Sequence, residues 1–393
     1  MLITDYFKRF LHSSQSSGIL LILCVLISLF IANSSMGEEF QNILDAKIGT
    51  EIFDLNYPIS VWINDGLMAV FFLLVGLEIK REIVEGELST FKSASLPIIA
   101  ALGGIIVPAG IYVFFNSGTE YAKGWAIPMA TDIAFSLAII SMLGKRVPLS
   151  LKIFLAALAI VDDLGAILVI AIFYTEQINW SYLALCGLMV AILIACNIFK
   201  RTKHIWYIIP GIFLWYFMHH SGIHATIAGV ILAFTIPTNE SMTITSPLEK
   251  MEHKLHLPVN FLIMPVFALA NTNIMFKEGM VDGLFSNFGY GIIFGLVFGK
   301  VIGISLFSWI FIKLKISALP DKSSWSQMLG AGLLAGIGFT MSIFIALLSF
   351  KNNVEIQDEA KFAVLVASVI SGFAGFSLLK YIGKKREAYE ADF

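Results

Sequence analysis

The chain has 393 residues, of which 58% are hydrophobic and only 14% are Asp, Glu, Lys or Arg. Soluble domains carry about 25% charged residues, so this composition excludes an ordinary soluble domain and indicates a membrane protein. The 26 basic and 28 acidic residues give a net charge of −2, which excludes the strongly basic surface of a nucleic-acid-binding protein. The three cysteines lie in apolar runs without metal-ligand spacing, so they predict neither a disulfide framework nor a zinc knuckle.

Apolar runs of a length suited to bilayer-spanning helices follow one another along the chain. We therefore predict an all-α polytopic membrane protein in which residues 1–393 form a single integral membrane domain. Twelve spans are predicted, near residues 18–32, 58–77, 95–115, 122–142, 150–174, 181–199, 205–218, 222–236, 258–272, 289–311, 327–350 and 361–380.

The basic residues predict the orientation of these spans. An even number of spans places both termini on one side, and twenty of the 26 Lys and Arg, beginning with Lys8 and Arg9, fall there. Five fall on the other side, and Lys300 falls inside a span. Because cytoplasmic loops carry the excess of Lys and Arg, we predict cytoplasmic termini. The long external connection, 33–57, alternates apolar and polar residues over 49–55, which predicts a short strand in a hairpin.

Four charged residues fall near the middle of predicted spans. Asp162 and Asp163 lie in the fifth span, Asp132 in the fourth and Lys300 in the tenth. A charge at the bilayer centre costs from about 3 to more than 10 kcal/mol, so each is a candidate functional residue. A structural ion pair would account for Lys300 and one acid, and would leave two buried aspartates that need a cation or a proton.

Adjacent carboxylates suit a site at which protons and a cation compete. Burial and mutual repulsion disfavour having Asp162 and Asp163 charged together, and oxygen ligands suit hard cations such as Na⁺ and Li⁺. If the loaded site faces each side of the membrane in turn, such competition exchanges one ion for the other. Adjacent residues do not share a helix face, so we expect one aspartate to face Lys300 and the other to face the cation.

Two predicted spans are interrupted. Pro128 and small residues precede Asp132 in the fourth span, and a glycine-rich run, 330–338, occupies the eleventh. Aligning Thr131 with Thr340 gives the pattern Thr-x-x-x-Phe in both spans. Interrupted spans at matching places in two halves are typical of transporters with inverted repeats, here spans 3–5 and 10–12. Close helix packing is the alternative explanation for Gly330 and Gly332.

The ends of interrupted helices carry partial charges that require compensation inside a membrane. Helix N-termini are positive and C-termini negative, each by about half an elementary charge. Asp132 has the sign to balance the N-termini, and Lys300 has the sign to balance the C-termini.

Seven motifs occur along the chain: WIND from Trp62, FFLLVGLEIKRE from Phe71, ATDIAF from Ala130, VDDLG from Val161, GIHAT from Gly222, Gly299-Lys300, and GIGFTMSIF from Gly336. Together they resemble one family, the bacterial NhaA sodium/proton antiporters, over about residues 8–380. The resemblance implies an electrogenic inner-membrane exchanger that expels Na⁺ or Li⁺ for protons, is not an enzyme, needs no cofactor, and forms a homodimer through an external hairpin near 45–58. It also implies that Asp162 and Asp163 bind cation and proton beside Thr131 and Asp132, and that Lys300 pairs with the first aspartate.

The resemblance also implies activation at alkaline pH by a cytoplasmic cluster. Histidine titrates near physiological pH, so two histidines three residues apart could sense it. A solvated group of charges at span ends is the alternative. The residues are Glu78, Arg81, Glu82, Glu252, His253 and His256.

Other classes of function remain open from the residues alone. His220 and His224 have the spacing of zinc ligands on one helix, which an intramembrane hydrolase could use, although the usual glutamate between them is absent. A proton-coupled symporter or a channel would also place carboxylates inside the membrane. We interpret His224 as a packed core histidine and assign no role to Asp65.

Overall fold

The computed structural model describes residues 14–175, 177–238, 245–277, 279–351 and 353–391, so Lys8 and Arg9 lie outside the described residues. This part of the chain is almost entirely helical. The longer helices are α1 (Ser14–Ala32), α2 (Gly37–Asp45), α3 (Ile59–Val84), α4 (Phe91–Asn116), α5 (Ile133–Met142), α6 (Leu149–Phe173), α7 (Trp180–Ile198), α8 (Ile205–Ser221), α9 (Ile227–Thr235), α10 (Pro247–Asn271), α11 (Asn287–Lys313), α12 (Trp325–Ala335), α13 (Phe339–Ser349) and α14 (Val354–Ala391).

Every predicted span overlaps a helix, and the all-α membrane class is confirmed. Within the described residues, eight helical segments are long and apolar enough to cross a membrane, or up to ten if two bent pairs count as one span each. Helices α8 and α9, with 17 and 9 residues, are shorter than these segments. A helix rises 1.5 Å per residue, so about 20 residues cross the hydrocarbon core. The number of twelve spans therefore stays a prediction.

A small hairpin follows α2, as predicted, but its strands are not the alternating residues. Strand β1 (Lys47–Ile48) pairs antiparallel with β2 (Tyr57–Pro58), with Lys47 opposite Pro58. The segment 49–55 is the loop between them and contains a turn of 3₁₀ helix, Glu51–Phe53. The prediction of a strand there was wrong because Thr50 caps this turn through its side chain and Asp54 adopts a left-handed conformation.

The chain divides into two compact units. Unit 1 comprises the described residues of Met1–Ile22, Thr90–Ala166 and Ile274–Phe393, and unit 2 comprises those of Leu23–Ser89 and Ile167–Asn273. Unit 1 therefore contains most of both segments that the sequence predicts as inverted repeats. It also contains all four charged residues predicted near mid-membrane.

Close backbone contact holds α4 against α11 in unit 1. A Cβ atom on Gly103 would overlap the backbone of Gly303, and the reverse also holds. The hydroxyls of Ser95 and Ser317 meet at 2.9 Å near one end of this antiparallel pair. Small residues let membrane helices approach closely, so this contact fixes α11, which carries Lys300, relative to α4.

Candidate functional site

The two interrupted spans meet in the core of unit 1. In the first, a 3₁₀ helix, Glu120–Met129, gives way to extended backbone before α5 begins at Ile133. In the second, α12 ends at Ala335, and α13 begins at Phe339 after a bend of 45°. The backbone N–H of Asp132 donates to the carbonyl of Ile337 at 2.6 Å, which joins the two interruptions. We call this contact the crossing, comprising residues 130–136 and 334–342.

The glycines of the second interrupted span have two different roles. Gly330 and Gly332 lie inside α12, where a Cβ atom would meet Leu379 or Val301, so close packing explains them. The break itself lies at 336–338. A Cβ atom on Gly336 would overlap the backbone oxygen of Leu296, so only glycine permits that approach.

Asp132 caps both helices that begin at the crossing. One carboxylate oxygen accepts the N–H of Phe135 at 3.0 Å in the first turn of α5. The other accepts the N–H of Thr340 at 3.1 Å and its hydroxyl at 2.5 Å in the first turn of α13. The carboxylate is 1% exposed. It therefore balances the positive ends of two helices at once, as its sign predicts.

Hydroxyl groups cover the carbonyl oxygens where the preceding segments end. Thr131 donates toward the carbonyl of Ala335 at 2.8 Å, and Ser136 toward that of Leu334 at 2.9 Å. Ser342 donates to the carbonyl of Ile127 at 2.7 Å. The sequence reasoning missed Ser136 and Ser342, although a serine in an otherwise apolar span is a visible signal.

Lys300 and Thr131 both contact Asp162. The lysine Nζ donates to the Oδ2 atom of Asp162 in an ion pair whose side chains are fully buried. The hydroxyl of Thr131 lies 2.6 Å from the same oxygen. A hydroxyl has one proton, so Thr131 shares it between Asp162 and the carbonyl of Ala335. The Oδ1 atom of Asp162 is buried and has no hydrogen-bond partner among the described residues.

Asp163 is next to Asp162 on α6 and is 1% exposed. The charge of Lys300 acts on Asp163 as well as on its direct partner. The structure thus brings together five predicted site residues in unit 1, and their three carboxylates and one ammonium group are closed off from solvent. Such groups can exchange protons for a cation without leaving a buried charge uncompensated.

A turn of π helix, Gly295–Gly299, directly precedes Lys300. A π turn inserts one residue into the hydrogen-bond pattern of an α-helix and rotates the side chains of the residues after it. Such turns are frequent at functional sites. Similar turns occur at Trp62–Leu67, which contains Asp65, and at Val259–Ile263. Sequence periodicity does not reveal these insertions.

The predicted pH-sensing residues lie in unit 2, and most of them are in contact. Arg81 binds Glu82 and Glu252, each at 2.9 Å, and Nε2 of His256 lies 3.5 Å from an Oε1 atom of Glu78. His253 is on the exposed side of α10.

Lys80 is one of the twenty basic residues predicted on the cytoplasmic side. Its Nζ atom donates to the carbonyls of Phe234 and Ile236, at 2.8 and 2.5 Å, and so closes the C-terminal end of α9.

The structure disfavours the zinc site considered for His220 and His224. Helix α8 ends at Ser221 because Gly222 has a positive φ of 88°, so the two histidines do not share a helix face. His224 and His219 instead approach Asp65, at 3.7 and 3.4 Å, and the Nδ1 atom of His224 lies 2.7 Å from the hydroxyl of Thr226. Within the described residues, no group of three His, Cys, Asp or Glu side chains is placed to hold a metal ion.

Comparison with known proteins identifies the family. The family model described as Na⁺/H⁺ antiporter 1 matches residues 8–379. The chain belongs to this family, the NhaA antiporters. It is 57% identical over 384 residues to Na⁺/H⁺ antiporter NhaA 2 of Flavobacterium johnsoniae, covering 97% of this chain and 94% of that protein. It is 50% identical to NhaA of Flavobacterium psychrophilum, covering 98% of each, and 44% identical to NhaA of Escherichia coli O139:H28, covering 95% and 98%.

Membership of the NhaA family confirms the resemblance seen in the motifs. Na⁺ and H⁺ are the ions that the family name assigns to transport, and the relatives are named as transporters rather than enzymes. A multi-pass membrane location follows from the family and the apolar helices together.

Proposed function

We propose that the chain is an electrogenic, pH-regulated antiporter that extrudes Na⁺ or Li⁺ in exchange for protons by competition at Asp162 and Asp163. The observation that carries this proposal is the buried Asp162 carboxylate. One of its oxygens is shared by Lys300 and Thr131, and the other has no hydrogen-bond partner among the described residues. An unsatisfied buried carboxylate oxygen is costly, and a proton or a hard cation relieves that cost.

Competition follows from the arrangement of charge. A cation that binds between Asp162 and Asp163 requires both carboxylates to be ionised, and protons that bind there neutralise the same oxygens. Lys300 is released from its ion pair when Asp162 takes another partner. Two carboxylates and one lysine offer more than one proton-binding group for each cation bound. More than one proton can then be exchanged for one cation, which supports electrogenic exchange. Exposure of the site to each side of the membrane in turn completes the cycle.

Asp132 has a different role in this proposal. Its hydrogen bonds go to the ends of α5 and α13, so it lines the site by holding the crossing together. Thr131 is the residue of that segment that contacts the ion-binding carboxylate.

The unit 2 cluster is proposed to provide the pH response. Arg81 is shared by Glu82 and Glu252, and the second carboxylate oxygen of Glu252 is buried without a hydrogen-bond partner in the described part of the chain. Protonation of Glu252 would weaken its ion pair with Arg81, which joins Arg81 to α10. His253, His256 and Glu78 complete the cluster.

A homodimer in the bacterial inner membrane, with both termini cytoplasmic and lipids around it, completes the proposal. The hairpin supports the dimer because Ile52 and Phe53, at its tip, are 86% and 59% exposed. Apolar side chains outside the spans favour burial against a second copy.

Everted membrane vesicles from a host without its own exchangers test this function. An internal pH dye is followed while Na⁺, Li⁺ or K⁺ is added between about pH 6.5 and 8.5. We expect proton movement with Na⁺ and Li⁺ but not with K⁺, growing with pH and responding to an imposed membrane potential. Opposite coupling would indicate a symporter, and absence of proton movement with every cation would contradict the proposal.

Variants assign the activity to the site. Asp163→Asn should abolish exchange because one ion-binding carboxylate is lost, whereas Lys300→Arg should retain part of it because the ammonium charge is replaced by another fixed cation. The control is Asp282→Asn, an exposed carboxylate before α11, which should behave like the parent. Full activity of Asp163→Asn would remove the assignment.

A further inference from the structure

Ser136 is a fully buried hydroxyl of α5 at the crossing. Its Oγ atom lies 2.7 Å from the carbonyl oxygen of Asp132 in its own helix and 2.9 Å from that of Leu334 in the last turn of α12. Both partners are carbonyl oxygens that only accept, and a hydroxyl has one proton to donate. The hydroxyl therefore bonds within α5, across to α12, or is shared between them.

Neither carbonyl depends on the Ser136 hydroxyl alone. The Leu334 oxygen also accepts the N–H of Ile337 at 3.1 Å, and the Asp132 oxygen also accepts the N–H of Ser136 at 3.0 Å. When the hydroxyl turns from one to the other, no buried acceptor loses its last partner. An unsatisfied buried acceptor is the main cost of breaking such a contact, so this bond can open at low cost.

We propose that Ser136 is a positioning residue that holds the C-terminal end of α12 against α5 and releases it when the crossing rearranges. Leu334 precedes Ala335, whose carbonyl is contacted by Thr131, and Thr131 contacts Asp162. Fixing the end of α12 thus fixes the partner of the ion-binding carboxylate. This inference rests on the proposed function, because it requires the transported ion to bind at Asp162 and Asp163.

The variant Ser136→Ala tests it. We expect the KM for Na⁺ to rise about twofold to fivefold, the effect of one neutral hydrogen bond, while the maximal rate stays at or above that of the parent. Ser136→Thr keeps a hydroxyl and should restore the KM. The matched control is Thr272→Val, which removes a buried hydroxyl that donates to the carbonyl four residues earlier, Ala268, in unit 2. It should leave the KM unchanged.

Hydrogen exchange supplies a measurement that does not depend on transport. In Ser136→Ala, peptides covering residues 334–340 should exchange about twofold to fivefold faster than in the parent, and in Thr272→Val they should not. Any of three results in Ser136→Ala would overturn the inference. They are unchanged hydrogen exchange, an unchanged KM for Na⁺, or a KM and rate that fall together with the amount of folded protein. A parent that moves no protons in response to Na⁺ would overturn the proposed function instead.

Discussion

Asp132 and Thr340 meet at the crossing through two hydrogen bonds, and replacing them tests how the crossing is held together. Asp132→Asn keeps the size of the side chain but removes its charge and turns one acceptor into a donor. That donor would face the N–H of Thr340, which now donates to the carboxylate at 3.1 Å. Hydrogen bonds to charged groups contribute about 1.5–3 kcal/mol and neutral ones about 1, and a misplaced buried donor costs a further 1–3 kcal/mol. We expect the free energy of unfolding to fall by about 2–4 kcal/mol.

A double-mutant cycle isolates this contact. Thr340→Val removes the hydroxyl that donates to Asp132 at 2.5 Å but keeps the backbone N–H, so we expect a loss of about 1–2 kcal/mol. Because the two residues share one interaction, the double variant should lose less than the sum of the single losses, by about 1 kcal/mol. Titration with sodium dodecyl sulphate in mixed micelles, followed by tryptophan fluorescence, measures the four free energies.

Two outcomes would refute this reasoning about Asp132. If Asp132→Asn unfolds at the parent's detergent fraction, the charge does not stabilise the helix ends. If the double variant loses the full sum, the two residues do not interact. Vesicle transport adds a functional criterion: Asp132→Asn should still move protons in response to Na⁺, because the proposal assigns Asp132 to capping the two helices and ion binding to Asp162 and Asp163.

Two further changes have sharp structural expectations. Gly336→Ala places a Cβ atom against the backbone oxygen of Leu296 and should lower the free energy of unfolding by about 1–3 kcal/mol. At Gly187 an added Cβ meets no atom within 4 Å beyond its own helix backbone, so Gly187→Ala should leave the free energy of unfolding unchanged or raise it. Equal effects of the two variants in detergent titrations would contradict the packing argument. Replacing Ile52 and Phe53 together by serine removes exposed apolar surface from the hairpin and should lower the dimer fraction measured by mass photometry, while an unchanged fraction would place the dimer contact elsewhere.

The composition and the apolar runs were enough to predict the membrane class, and each predicted span overlaps a helix. They were not enough to count crossings, because α9 has 9 residues and the length of an apolar run does not show where a helix stops. Gly222 ends α8 through a positive φ that a pattern of hydrophobic residues does not contain. The hairpin is a second case in which the pattern of hydrophobic residues is not enough. Alternation over 49–55 predicts a strand, whereas side-chain capping by Thr50 makes this segment a turn.

The charged residues of the site were predictable because burying a charge is costly wherever it occurs. The sign argument also predicted that Asp132 would balance helix N-termini, and its hydrogen bonds to α5 and α13 match that role. The same argument paired Lys300 with the C-termini, but its ammonium group binds Asp162. Which helix end a lysine reaches depends on the rotation of its helix, and the π turn at Gly295–Gly299 changes that rotation just before Lys300.

Neutral hydroxyls at the carbonyl ends explain how Lys300 can serve the proposed ion-binding site. Thr131, Ser136 and Ser342 place hydroxyls against carbonyls at the ends of the interrupted segments, so those negative ends have hydrogen-bond partners other than Lys300. A lysine committed to them would have to leave them in order to pair with a carboxylate, at the full cost of an uncompensated buried charge. Hydroxyls carry no charge and can exchange acceptors by rotation. In the proposed exchange, the crossing can therefore rearrange while Lys300 and Asp162 respond only to protons and cations.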